Sequence, residues 1–151
     1  MTPGLRIEVR PAAPDELAEP LTFLEVFLRN GEPVPLPFFQ QLKAAVERGD
    51  LEVLVARTEP GVELVGVAVV AFRPNLSAGA PFGSIEELYV SQDARHQGVG
   101  RALLDAVGER SRARGVSYVE VQADDEAAVF YKASGYEPES GVRVISRSYA
   151  L

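Results

Sequence analysis

The chain has 151 residues, enough for one domain with a buried core. Apolar residues make up 46% and charged residues 25%, ordinary globular usage that excludes wholesale disorder. There is no cysteine, which removes disulfides, thiolate metal sites and a cysteine nucleophile, and a single histidine removes histidine clusters as metal ligands, so no metal site is expected. The net charge of -7 disfavours nucleic acid as a partner and suits a cationic substrate, although acidity also serves solubility. The N-terminus has no basic start leading into a long apolar run, and no stretch approaches the roughly 18 apolar residues of a membrane span. A cytoplasmic protein without a membrane partner is the expectation.

Leu5 to Arg10 alternates apolar and polar residues, the period of a half-buried strand, and Pro11 and Pro14 end it. Asp15 and Glu16 suit the first turn of a helix carrying Leu17, Leu21, Leu24 and Phe27 at helical spacing, with Pro20 a point where it can split. Gly31 to Pro37 is a proline-rich loop. A second helix, Phe38 to Arg48, stops at Gly49, a good C-terminal cap. Leu51 to Arg57 and the nearly continuous apolar run Leu64 to Phe72 are strands, joined by a hairpin turn over Thr58 to Val62. Asn75 to Gly83, rich in glycine, alanine and serine, predicts a loop. Strand Ile85–Val90, helix Gly98–Arg114, strand Tyr118–Gln122, helix Glu126–Ser134 and a closing strand Val142–Tyr149 complete the order. Nothing repeats and no linker separates two cores. The order β-α-α-β-β-β-α-β-α-β predicts an α/β (α+β) fold with a mixed sheet and helices on its faces.

The chemistry concentrates where strand Ile85–Val90 passes through Ser91 to Ala94 into Arg95-His96-Gln97-Gly98-Val99-Gly100-Arg101 and then a helix. The first N–H groups of a helix lack intrahelical partners and the dipole adds positive potential there. Gly98 and Gly100 remove side chains from that turn and Arg95 and Arg101 add charge, which together make an anion site. A Walker loop needs GxxxxGK[ST], which is absent. A dinucleotide fingerprint needs a third glycine where Leu103 stands. Arg110, Arg112 and Arg114 near the end of this helix read as solvated charges complementing its dipole.

Arg95-x-x-Gly98-x-Gly100 after Leu88-Tyr89-Val90 resembles the pyrophosphate loop of the GCN5-related N-acetyltransferase (GNAT) family. Phe130-Tyr131, three further residues, then Gly135-Tyr136 is similar to that family's second signature. The two motifs come in the family's order, separated by one helix and one strand, and cover about a third of the chain. The resemblance implies one GNAT-like domain over 1–151, with a mostly antiparallel sheet of about six or seven strands, about four helices and a splayed strand pair. It implies acetyl-CoA as cosubstrate, with the backbones of Leu88 and Val90, in the strand holding Tyr89, bonding the pantetheine arm. The N–H groups of His96, Gln97, Gly98, Val99, Gly100 and Arg101 would hold the pyrophosphate, with Arg95 assisting by charge. His96 acts there through its backbone rather than as a base.

Tyr131 is by resemblance the general acid for the departing thiolate, since a phenol of ordinary pKa ~10 stays protonated at neutral pH. Asp124 stands where the family often has asparagine. A carboxylate only accepts hydrogen bonds and repels phosphate, so capping of the following helix competes with cofactor contact for this residue. Ile85-Glu86-Glu87-Leu88-Tyr89-Val90 is similar to the corresponding strand of small-amine acetyltransferases, where the first acid lies in the acceptor cleft. Glu86 and Glu87 are the candidate bases; strand alternation places them on opposite faces, and Glu86, directly or through water, is the expected one, with Glu87 the alternative. The implied reaction is direct attack of a small cationic amine on the thioester in a ternary complex, in keeping with the absence of cysteine and of a GxSxG elbow. A noncatalytic acyl-CoA-binding or regulatory domain and a protein N-terminal or lysine acetyltransferase are the alternatives. The N-terminal helices and the Asn75 to Gly83 loop are expected to wall the acceptor site, and a homodimer through the closing strands is compatible with the resemblance.

Overall fold

The computed structural model describes residues 6–59 and 63–151. Leu5 and the Pro60 to Val62 part of the expected hairpin turn lie outside these residues. A five-stranded sheet runs in the order β1-β2-β3-β4-β5, with β1 Arg6–Pro11, β2 Leu51–Glu59, β3 Glu63–Asn75, β4 Ala80–Val90 and β5 Val119–Val121. The first four strands are antiparallel neighbours and β5 joins β4 in parallel. Helices α1 Ala18–Arg29 and α2 Leu36–Arg48 cover one face, and α3 Val99–Ala113 and α4 Asp125–Ala133 the other.

The two cores follow from strand alternation. Val53, Val55, Val67 and Val69 point toward Leu17, just ahead of α1, and Leu24 of α1. Leu54, Ala56, Ala68 and Val70 point toward Val99, Leu103 and Val107 of α3. β2 and β3 are therefore apolar on both faces, as central strands covered by helices must be. Pro20 does not split α1, because it sits in the first helical turn, where its missing N–H has no intrahelical role. Asp15 and Glu16 fall in a separate 3-10 turn, Pro14–Glu16, just ahead of the helix.

Three expectations are corrected. The Asn75 to Gly83 loop shrinks to a turn, because β4 begins at Ala80 and pairs Asn75 with Ala80 and Arg73 with Phe82. Phe82 stacks on Tyr118, ring centroids 5.2 Å apart, and the Arg73 guanidinium lies 5.1 Å above Phe82, contacts that override the loop-like composition. The strand number is five among the described residues rather than six or seven, because Val142 to Tyr149 forms no strand. One side of that segment would carry Val142, Val144, Ser146 and Ser148, the other Arg143, Ile145, Arg147 and Tyr149, so neither is an apolar stripe. Ile145 is 92% exposed.

The arginines at the end of α3 are the third correction. Arg110 Nε donates to Glu52 Oε1 at 2.7 Å and Arg114 Nε to Glu52 Oε2 at 2.6 Å. Arg114 Nη1 also bonds the Gly49 carbonyl at 2.6 Å, and its guanidinium lies 4.2 Å from the Phe72 ring centroid. These two arginines pin α3 to the start of β2 around a buried carboxylate; Arg112 is exposed, as expected.

Candidate active site

Among the described residues β5 pairs only with Gly83, Ser84 and Ile85, while β4 continues to Val90 with no strand beside it on that edge. This is the splayed pair. The Ser91 N–H bonds the Val65 carbonyl at 2.8 Å, so the exchanged hydrogen bonds between β3 and β4 fall at Ser91/Val65 and, two residues earlier, at Tyr89/Val67. The N–H and C=O groups of Leu88 and Val90 consequently point away from β3, into the open edge. Those are the two backbones the sequence selects for an extended ligand arm.

At the end of β4 the chain makes a 3-10 turn, Gln92–Ala94, and enters α3 through Arg95 to Gly98. His96 has φ 64 and Gly98 φ 86, both in the left-handed region. A non-glycine residue rarely adopts this geometry, and strain of this kind is typical of ligand clamps. No side chain caps α3 and its first internal bond is Ala102 N–H to Gly98 O, leaving the N–H groups of Val99, Gly100 and Arg101 without helical partners. The side chains of Arg95, His96, Gln97 and Arg101 are exposed, and Gln97 Nε2 bonds the Asp93 carbonyl at 3.3 Å. The Val99 side chain is buried in the core, so only its N–H can serve a ligand.

Gly100 has a different use from the one expected. A Cβ there would lie 3.0 Å from Phe130 Cζ, so the space it vacates is filled by the α4 ring rather than left for a phosphate. α4 is thereby brought onto the start of α3. Asp124 caps α4, its Oδ1 accepting from the Ala127 N–H at 2.8 Å. At the other end Gly135, φ 92, donates to the Lys132 carbonyl and Tyr136 to the Tyr131 carbonyl, the double bond of a Schellman motif. The spacing Tyr131, three residues, Gly135, Tyr136 is thus a helix stop that folds the second aromatic back over the first. The Tyr131 and Tyr136 rings meet edge to face at 5.5 Å, as do Phe130 and Tyr131 at 5.0 Å.

Tyr131 is 8% exposed, and its hydroxyl makes no hydrogen bond among the described residues. Burial pushes its pKa up to about 12, with smaller contributions from Tyr136, Tyr89 and the Glu87 carboxylate. Burial first, and then the adjacent Glu86 charge, also raises Glu87 above the usual carboxylate range. The phenol therefore stays protonated, as a donor must, and Glu87 is the acid whose charge reaches it.

Glu86 and Glu87 do not alternate. The register of β3 and β4 jumps between Val69↔Glu87 and Val70↔Ile85, which leaves Glu86 as the extra residue of a β-bulge. Both carboxylates accordingly line one cavity of about 510 Å³ on the α1/α2 face. Glu86 is exposed and lies 4.0 Å from Arg73, whereas Glu87 is half-buried and free of ion pairs among the described residues. The rest of the cavity is mostly apolar, with Leu21 and Leu24 from α1, Phe39 and Leu42 from α2, and Val53 and Val69 from the sheet. No residue from 75 to 83 reaches it. Several of them line a shallow depression elsewhere, beside Arg48 and Arg114. Tyr89 stacks on Phe27 of α1, centroids 5.0 Å apart, so its side chain ties β4 to α1 and does not meet the phosphate turn.

A family model described as the acetyltransferase (GNAT) domain matches residues 49–138, more than half of the chain. The chain belongs to the GNAT family. An acetyltransferase of Trypanosoma brucei superposes with a TM-score of 0.73 at 24% identity, covering 97% of this chain and 99% of that one. An aminoglycoside acetyltransferase from an uncultured soil metagenomic sample, solved with sisomicin, gives 0.78 at 23% identity over 96% of each chain. A transcriptional regulator from Bacillus halodurans C-125 gives 0.78 at 25% identity over 95% of this chain and 100% of that one. No curated protein sequence matches this one. These likenesses bear out the GNAT fold, the mixed α/β architecture included. No described helix is long and apolar enough to cross a membrane.

Two residues packed around this candidate site have roles that the sequence does not display. Gly66 reads as one more residue of an apolar strand, yet a Cβ there would lie 2.9 Å from Val99 Cγ1. Phe130 reads as a flanking aromatic, although it fills the space over Gly100. Glu87 is a candidate base beside Glu86 in the sequence, and only the bulge, which leaves no mark on composition, turns both toward one cavity.

Proposed function

We propose that the protein is an acetyl-CoA-dependent N-acetyltransferase, one catalytic domain acting in the cytoplasm on the primary amine of a small cationic molecule. The single observation that carries this reading is the open edge of β4, flanked by the uncapped start of α3 and by the unpartnered Tyr131 hydroxyl. The α3 donors from His96 to Arg101, with the charges of Arg95 and Arg101, suit a pyrophosphate. The inward-turned backbones of Leu88 and Val90 suit amide groups of an extended arm.

In this reading the amine nitrogen attacks the acetyl carbonyl carbon directly, the carbon–sulfur bond breaks, and coenzyme A leaves as thiolate. Tyr131 donates a hydrogen bond or proton to that sulfur, which its protonated state near neutrality permits. The acceptor arrives as an ammonium ion and must give up a proton. The sequence favours Glu86 for that base. The burial of Glu87, its raised pKa and its electrostatic tie to Tyr131 support moving the role to Glu87. Glu86, exposed at the same cavity, then attracts the ammonium. Overall, an ammonium and acetyl-CoA yield an amide, free coenzyme A and one proton. Much of the acceleration would come from holding the two substrates together. Asp124 is committed to its cap, and any part in cofactor contact is secondary.

The test follows free coenzyme A release across a panel of primary amines at saturating acetyl-CoA. Tyr131→Phe and Glu87→Gln should each lower kcat by about 10²-fold, with acetyl-CoA affinity by calorimetry retained. If no amine supports release, or both variants turn over like wild type, the proposal is wrong.

A further inference from the structure

The cavity beside Glu87 carries information about the acceptor that the fold does not. Its floor is a cross-strand row. Glu87 of β4 sits opposite Val69 of β3, and Val69 sits opposite Val53 of β2. Moving from the carboxylate across two strand spacings, roughly 9.6 Å, the floor turns wholly apolar. The roof over it is Leu24 from α1 with Phe39 and Leu42 from α2.

The other charged groups of the cavity are already engaged. Glu25 is buried and its Oε2 accepts from the Val34 N–H at 2.7 Å, which fastens the loop before α2. The Arg29 Nε is turned to the Glu32 carbonyl at 3.1 Å. Glu87 is left as the unpaired negative pole at one end of a greasy slot, with Glu86 beside it and 4.0 Å from the exposed Arg73. A ligand with one cation and an apolar body complements this arrangement. A second ammonium, or a set of hydroxyls, would be placed mostly among leucine, valine and phenylalanine side chains, with Glu25 and Arg29 already holding the Val34 N–H and the Glu32 carbonyl. Burying such groups unpaired costs on the order of several kcal/mol. A carboxylic acid of the same length would meet the acidic pole and be repelled.

We propose that the acceptor is a lipophilic primary monoamine, an alkyl- or arylalkylamine, with its ammonium at Glu86 and Glu87 and its apolar body over Val69 and Val53. This rests on the acyltransferase reading for its chemistry, but the slot binds such an amine whether or not transfer follows. Leu28 and Phe38, each 46% exposed and lining the same cavity, are its specificity-determining residues at the mouth.

The decisive experiment compares n-alkylamines from ethyl to octyl on the full-length protein, with spermidine, kanamycin and octanoate alongside. Each is titrated by calorimetry and assayed for coenzyme A release. Affinity and kcat/KM should rise about fourfold per added methylene until the slot is full, with spermidine, kanamycin and octanoate at least tenfold weaker than hexylamine. Leu28→Ser with Phe38→Ser, both at half-exposed positions, should flatten that rise. A calorimetric rise without any coenzyme A release upholds the slot and overturns the transferase reading. Efficient release with no dependence on chain length, or with spermidine or kanamycin preferred, keeps the transferase and overturns the slot. Binding that is flat across the series in both measurements overturns the slot as well.

Discussion

Gly66 on β3 and Val99 at the start of α3 are in direct opposition: a methyl group on Gly66 would sit 2.9 Å from Val99 Cγ1 and 3.0 Å from Leu103 Cδ1. Both neighbours are buried side chains, and the Tyr89 carbonyl at 3.3 Å closes the third direction. Gly66→Ala would gain roughly 0.5–1 kcal/mol of strand preference, less than the overpacking penalty of about 1–3 kcal/mol. We expect Tm to fall by about 2–8 °C in a chain of this size. Because Val99 supplies one of the free α3 N–H groups, acetyl-CoA should also bind more weakly by calorimetry. An unchanged Tm would show that α3 lifts off the sheet without cost.

In the proposed reaction, the pair Glu86 and Glu87 would set the acid side of the activity profile. Glu87 is held above the usual carboxylate range by burial and then by the Glu86 charge. As base it must be ionised, so kcat/KM should fall as pH drops through that raised value. Glu86→Gln removes the like charge that favours the protonated form, which moves the acid limb to lower pH. Glu87→Gln should lower the rate and erase the limb. A limb that vanishes with Glu86→Gln and persists in Glu87→Gln would return the base to Glu86.

Much of this was legible in the sequence, and what was not has a consistent cause. The amphipathic helices, the apolar β2 and β3 and the glycine turn are encoded in periods of three to four or two residues, which one sequence displays. Asp124 as a cap and Gly49 as a helix stop are encoded in single residues beside those periods. Ala80 to Gly83 looked like a loop because its pairing partners and the Phe82–Tyr118 stack are distant in the chain. The facing of Glu86 and Glu87 turned on one bulge, and the fates of Arg110 and Arg114 on Glu52, 58 and 62 residues away. Val142 to Tyr149 forms no strand because neither of its sides carries an apolar stripe to pair it with the sheet.

Glu52 is the most consequential of these distant partners. Glu52 is 6% exposed, and its carboxylate takes one guanidinium on each oxygen. Removing one partner of a fully buried pair costs about 3–5 kcal/mol. Here the Arg110 and Arg114 side chains are 44% and 31% exposed, so water can re-solvate them. We expect Glu52→Gln to cost about 2–3 kcal/mol in urea unfolding. Arg114→Ala should exceed Arg110→Ala, since Arg114 also loses the Gly49 carbonyl and the Phe72 ring. Equal costs for the two arginines would mean those extra contacts contribute nothing.

Asp124 separates helix capping from cofactor contact. Its Oδ1 accepts the Ala127 N–H, and an asparagine oxygen can do the same, whereas alanine cannot. Asp124→Ala should therefore destabilise by about 1 kcal/mol and Asp124→Asn by a few tenths or less. α4 carries Tyr131 and is brought onto α3 where Phe130 fills the space over Gly100. Fraying its first turn loosens Phe130 and, through it, the position of the phenol. The alanine variant should lower kcat with acetyl-CoA affinity little changed, while the asparagine variant keeps kcat. Replacing the carboxylate also removes a negative charge at the start of α4. If Asp124 lies near the bound phosphates, Asp124→Asn will tighten acetyl-CoA, and if its role is the cap alone, affinity will not move.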